Sequence, residues 1–182
     1  MRRQSLGLVM AGAFMLATPA IAADEASAVL KDPEGKEIGK ATLVTTPGGT
    51  LITLELTAAP PGTHGFHIHT TGKCEPPKFE SAGGHFNPDE SKHGFFNEEG
   101  PHAGDMPNIH VPESGKLTVE VFNGLVTVGG ENALLDEDGA ALMLHEGADD
   151  YKSDPAGHAG GRIACGVVTP SRLPGGILLW RS

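Results

Sequence analysis

The segment Thr50–Thr57 reads Thr-Leu-Ile-Thr-Leu-Glu-Leu-Thr. Ile52, Leu54 and Leu56 share one face of an extended chain, and Thr53, Glu55 and Thr57 share the other. Such alternation is the pattern of an antiparallel strand with one dry face and one wet one. It recurs over Lys116–Phe122, with Leu117, Val119 and Val121 inward. Ala26–Leu30, Lys36–Thr45, Ala141–His145 and Ile163–Val168 are further candidate strands. Asp32-Pro33-Glu34-Gly35, Pro47-Gly48-Gly49 and Pro60-Pro61-Gly62 read as turns. No stretch carries a convincing helical period. Five or more short strands between Gly/Pro turns predict an all-β chain, an antiparallel sandwich or barrel. At 182 residues the chain is long enough for one domain with a sizeable core.

Both ends depart from this rhythm. Met1-Arg2-Arg3, an apolar run from Leu6 to Leu16 and Ala20-Ile21-Ala22 read as a secretory signal peptide cleaved after Ala22. The run is too short to span a bilayer. Arg2-Arg3 hints at twin-arginine export, but the rest of that motif is poor and the general secretory route is favoured. The leader has a bacterial bias, which predicts a periplasmic protein. Residues 169–182 form a tail whose role stays open, with Ile177-Leu178-Leu179-Trp180 too short to cross a membrane. Removing residues 1–22 takes away two arginines and no acid, so the formal charge moves from −10 to −12. So acidic a body argues against nucleic acid as a partner. Two cysteines in an exported chain, Cys74 and Cys165, suggest one disulfide.

His64-Gly65-Phe66-His67-Ile68-His69 carries the chemistry. On a strand, Phe66 and Ile68 point into a core while His67 and His69 stand side by side on the opposite face. The plain alternative is a strand with two solvated histidines. The chain holds nine histidines, however, and two long segments rich in Gly, Pro and Asp, Thr70–Pro112 and Glu146–Gly161, break the strand rhythm. Loops of that length in a compact domain are functional or disordered. The first contains His85, His93, His102 and Asp105, a donor set suited to tetrahedral zinc. His67 and His69, joined by His145 at the end of another strand and by His85, make a four-nitrogen set suited to Cu(II). His85 then uses both ring nitrogens, one for each metal.

Gly65-Phe66-His67-Ile68-His69, Gly84-His85-Phe86-Asn87-Pro88, Lys92-His93-Gly94, His102-Ala103-Gly104-Asp105, His145-Glu146-Gly147-Ala148-Asp149-Asp150 and Gly161-Arg162-Ile163-Ala164-Cys165-Gly166-Val167 occur in that order. In this the chain resembles the copper/zinc superoxide dismutases of the bacterial exported type, over residues 23–168. The resemblance implies a Greek-key β-sandwich or flattened barrel with two long functional loops. It implies one copper per subunit on His67, His69, His85 and His145, and one zinc on His85, His93, His102 and Asp105. It also implies that Asp149 links His67 to His93, that Arg162 guides the anion beside the copper, and that Cys74 pairs with Cys165. The implied activity is dismutation of superoxide, with the His85 bridge opening on copper reduction and then supplying a proton, so that His85 and Arg162 are the catalytic residues. Copper does the redox work, since zinc has no second oxidation state to use. His64 is implied to be structural. His110 and His158 read as surface histidines, and Lys152 as a possible extra positive charge near the site. The competing function is a periplasmic copper/zinc binding or delivery protein with this fold and no turnover, which would be expected to lack a ligand, the bridge or the arginine. Stable membrane insertion is not expected. A homodimer is left open.

Overall fold

The computed structural model describes residues 25–171; the leader and most of the C-terminal tail lie outside them. Within this span ten strands run in chain order: β1 Glu25–Lys31, β2 Glu37–Thr46, β3 Gly49–Leu56, β4 Gly62–His64, β5 Phe66–His69, β6 Ile109–Val111, β7 Leu117–Asn123, β8 Ala141–His145, β9 Arg162–Val167 and β10 Thr169–Pro170. The single helical piece among the described residues is a 3-10 turn, Glu80–Ala82. The main sheet has the order β5-β8-β9-β1-β2-β3-β7, with β10 beside β1, and every pairing is antiparallel. β4 and β6 form a small second sheet. No described helix is long and apolar enough to cross a membrane.

Local sequence explains the hairpins. Asp32 Oδ1 accepts the backbone N–H groups of Glu34 and Lys36 at 3.1 and 2.9 Å, closing the β1–β2 turn. In β3, Thr50, Ile52, Leu54 and Leu56 are all buried, whereas Leu51, Thr53 and Glu55 are only half-buried. Leu30 of β1, Leu43 of β2, Leu54 of β3, Phe66 and Ile68 of β5, and Leu142 and Leu144 of β8 fall in one apolar cluster. Strands from the whole length of the sheet therefore face a single core, and the sheet curls as a flattened barrel must. Thr169–Pro170, at the start of the predicted tail, extends this sheet by pairing with Ser27 and Ala26.

β8 is buried on both faces. Leu142 and Leu144 enter the main core, whereas Ala141 and Met143 pack with Phe79, Ala82 and Cys165 under the long loop. A Cys74–Cys165 disulfide fastens that loop to β9, with the Cα atoms 5.7 Å apart.

The same loop covers the free edge of β5. Ile68 N–H donates to Gly104 O (2.9 Å), Phe86 N–H to Ile68 O (2.8 Å) and Thr70 N–H to Gly84 O (3.0 Å). An open sheet edge is thereby paired, and His69 comes opposite His85 and His67 opposite Asp105. The approach is close enough to require glycine at 104, where a Cβ would lie 2.4 Å from Ile68 O. Backbone pairing of loop to strand is what places the site.

Candidate metal centre

The residues of β5 divide as the alternation requires: Phe66 and Ile68 face the core, and His67 and His69 lie on the opposite side, in register with Met143 and Ala141 of β8. His145 ends β8 after a register shift at Leu144/His145. His67, His69, His85 and His145 form one group whose donor atoms lie within 4.8 Å of one another, and His85, His93, His102 and Asp105 form a second. His85 belongs to both.

Hydrogen bonds decide which ring nitrogen each histidine presents. His67 Nε2–H donates to Asp149 Oδ2 at 2.7 Å, leaving Nδ1 buried with no partner. His69 Nδ1–H donates to Gly83 O at 2.9 Å, so its Nε2 is a lone pair. That lone pair faces His145 Nε2 at 3.4 Å. His85 Nε2 is likewise buried and unpartnered. Buried polar atoms left without a partner are costly in a protein interior. Four imidazole nitrogens aimed at one volume are what a cation there would satisfy, and an all-nitrogen set suits copper.

The second group is tighter. Asp105 Oδ1 stands 2.8 Å from His85 Nδ1, 3.0 Å from His93 Nδ1 and 3.4 Å from His102 Nδ1. Ligands about 2.0–2.1 Å from a tetrahedral zinc stand roughly 3.3 Å apart, so these spacings fit that ion. Asp105 Oδ2 accepts N–H from Gly94 (2.8 Å) and His102 (3.0 Å), which fixes the carboxylate with Oδ1 inward. His93 Nε2–H donates to Asp149 Oδ1 at 3.0 Å, so Asp149 spans the two groups.

Titration behaviour follows burial and these contacts. Burial chiefly, with the neighbouring His85, pushes His69 down to about 2. Burial chiefly, partly offset by the bond to Asp105, pushes His85 down to about 4. Burial and the nearby His67 push His145 down to about 3. His93 moves the other way: burial disfavours its charge, but hydrogen bonds to Asp105 and Asp149 prevail and raise it to about 9. Burial would raise both Asp105 and Asp149, yet their histidine partners hold each well below the usual carboxylate range. His69, His85 and His145 are thus neutral and ready to ligate at neutral pH, beside carboxylates that stay ionised.

Arg162 reaches the same place from β9. Its Nη1–H and Nη2–H donate to Phe79 O and Gly83 O, both at 2.6 Å. A cleft lined by His69, His85, His145, Pro155, Ala156, Gly160 and Arg162 opens onto the first group. The family model for copper/zinc superoxide dismutase matches residues 37–168 of this chain. The chain belongs to the copper/zinc superoxide dismutase family.

Over 138 residues it is 58% identical to copper/zinc superoxide dismutase 1 of Aquifex aeolicus (strain VF5), covering 74% of this chain and 82% of that one. Over 169 residues it is 51% identical to copper/zinc superoxide dismutase 2 of the same organism, covering 91% and 99%. Among solved structures, a double mutant of a SOD-like protein from Bacillus subtilis matches with a TM-score of 0.75 at 42% identity, over 78% of this chain and 95% of that one. This chain is accordingly an oxidoreductase of bacterial type that converts superoxide to dioxygen and hydrogen peroxide, with copper and zinc as its metals. The alternative of a metal carrier without turnover called for a missing ligand or arginine; both donor groups and Arg162 are present.

Other histidines fall where sequence reasoning placed them. His64 is buried with both ring nitrogens beside carbonyls, His145 O at 2.8 Å and Pro60 O at 2.9 Å, so neither is free to ligate. His110 contacts Thr63 and His158 contacts Asp150, both at the exposed surface. Lys152 is exposed and does not line the cleft, where Arg162 is the one cation among the described lining residues. The side chain of Asn108 accepts Asp149 N–H (2.8 Å) and donates to Asp149 O (2.9 Å), seating the loop that carries Asp149. An isolated asparagine gives no sequence signal for this.

Proposed function

We propose that His67 Nδ1, His69 Nε2, His85 Nε2 and His145 Nε2 hold copper, that His85 Nδ1, His93 Nδ1, His102 Nδ1 and Asp105 Oδ1 hold zinc, and that the reaction runs at the first set. Copper supplies one-electron exchange there, oxidising one superoxide to dioxygen and reducing the next, which with two protons becomes hydrogen peroxide. Arg162, fixed by two carbonyls at the cleft wall, draws in and orients the anion. With zinc on Nδ1, His85 Nε2 would carry a proton when it is not ligating copper and would give it to the reduced oxygen; solvent would provide the second. Asp149 holds the rings of His67 and His93 in the orientation that keeps Nδ1 of each inward. Residues 1–22 act as the leader that exports the 23–168 domain to the periplasm, the compartment in which the Cys74–Cys165 disulfide persists.

The observation that carries this reading is His85, buried between the groups with Nδ1 in one and an unpartnered Nε2 in the other. His85→Ala should fold, lose zinc and lose nearly all turnover. Metal content and superoxide decay are measured on the same sample; native turnover with full copper occupancy would sink the shared-ligand assignment.

A further inference from the structure

We infer that Asp154 is a positioning residue of the zinc site, a second carboxylate outside the ligand set that holds His93 and His102 from behind. The inference rests on the zinc set proposed above. His93 N–H donates to Asp154 Oδ1 at 2.8 Å. The same oxygen lies 3.9 Å from His102 Nε2, the ring nitrogen that points away from the metal group. Among the described residues it is the one carboxylate within 4.0 Å of that nitrogen.

Metal-bound imidazoles bind more firmly when their outer N–H meets a carboxylate, which fixes the ring and raises its basicity. His93 has such a partner in Asp149. Asp154 anchors the backbone of His93 by a hydrogen bond and lies behind the outer nitrogen of His102 at 3.9 Å, beyond hydrogen-bond length, so that it acts on that ring through its charge. Lys92 Nζ, 4.0 Å from Oδ2, is the cation facing it, and both side chains are substantially exposed, so that pair is weak. Pro155 and Ala156, which follow directly in the chain, line the cleft. Asp154 is therefore one link, beside Asp149, between the zinc-ligand loop and the wall of the substrate site.

The test uses Asp154→Ala and Asp154→Asn in the full, metal-loaded protein. It reads zinc release to a chelator, copper retention, and the visible bands of cobalt(II) placed in the zinc position. Asp154→Ala should release zinc about 10-fold faster or more, with altered cobalt bands and copper retained. Asp154→Asn preserves an acceptor for His93 N–H but removes the charge behind His102. It should give intermediate release and still shift the bands; should the alanine variant not fold, it carries the test alone. An asparagine variant matching the native protein in both readouts would overturn the inference, reducing Asp154 to an amide acceptor. Parallel loss of copper would overturn it too, as a general loosening. A native protein that takes up no tetrahedral cobalt would bring down the zinc set itself.

Discussion

Gly157→Ala tests whether Asp149 is held rigidly enough to matter. Gly157 has φ +63, and a Cβ there would lie 1.9 Å from Asp149 Oδ1, 2.5 Å from Asp149 Cγ and 2.6 Å from His93 Nε2. The carboxylate cannot swing aside freely, because it accepts from His67 (2.7 Å), His93 (3.0 Å) and Tyr151 N–H (2.6 Å). Relief therefore requires the carboxylate, or the loop beneath it, to move by more than about 1 Å. The left-handed backbone adds about 1–2 kcal/mol for alanine on its own. Gly35→Ala isolates that contribution: φ is +83 and nothing lies within 4 Å of its Cβ, so it should lower stability by that amount and leave metals untouched. Gly157→Ala should in addition weaken zinc about 10–100-fold, the usual effect of disturbing a ligand's outer partner. Gly157→Asn separates the two causes, since asparagine tolerates positive φ yet brings the same Cβ; it should weaken zinc as much. Zinc affinity is read by chelator competition at fixed copper occupancy, beside thermal melts of all three variants. Native zinc affinity in Gly157→Ala would mean that the loop yields without disturbing Asp149, and the rigid-link argument would fail.

Cys74→Ser removes a cross-link between residues 91 apart. The chain-entropy model assigns such a link about 4–5 kcal/mol, so the melting temperature and metal retention should both fall; two free thiols by mass spectrometry of the exported native protein would refute the pairing outright. Stability of the metal-free protein should fall as pH drops from about 6.5 toward 4. His69, His85 and His145 take up protons near 6.5 when unfolded but only near 2, 4 and 3 when folded, so acid favours the unfolded chain, by at least about 1 kcal/mol per pH unit. His93 acts oppositely, its contribution full below about 6.5 and lost as pH rises through about 9; urea melts that do not change between pH 7 and pH 5 would contradict this. Arg162→Glu should cut the second-order rate at least about 10-fold with metals intact, and wild-type turnover should fall as salt rises, because a focused positive field is screened over about 8–10 Å. A wild-type rate that rises with salt would show that the body's formal charge of about −12 governs the encounter instead.

Strands were legible wherever the period of 2 extended over several residues. Ala141–His145 was read to the residue, and β3 and β7 to within one at each end. β4 and β6, three residues each, are too short to show a period, and in the sequence Gly62–His64 is divided between the turn that precedes it and the histidine strand that follows it. The residues that gather into the two donor groups were legible from residue type and order, because few residue types ligate metals and each is written in the chain. What arranges them was not. The pairing of Ile68 with Gly104 and Phe86, the seat of Asp149 on Asn108, and Asp154 behind His93 and His102 are tertiary contacts spanning 18 to 61 residues, and no local pattern marks their partners.

The donor sets proposed for copper and zinc differ in what carries them, and the fold makes this unavoidable. A strand offers side chains to one face only at every second residue, so β5 can supply His67 and His69, and its partner β8 can add His145 beside them. That is three nitrogens on a buried, hydrogen-bonded frame. A fourth donor has to come from outside the sheet, and the covered edge of β5 brings His85 opposite His69, with Asp105 of the other group opposite His67. Every remaining zinc donor lies beyond His85 on the same loop, at positions 93, 102 and 105. Disulfide, edge pairing and Asp149 are thus needed chiefly to order a zinc site that the strands cannot build, while the copper site keeps three strand-borne ligands whatever the loop does. Perturbing any of those three loop restraints should therefore reach zinc first, and copper only through the shared His85 ring and, for Asp149, through its bond to His67.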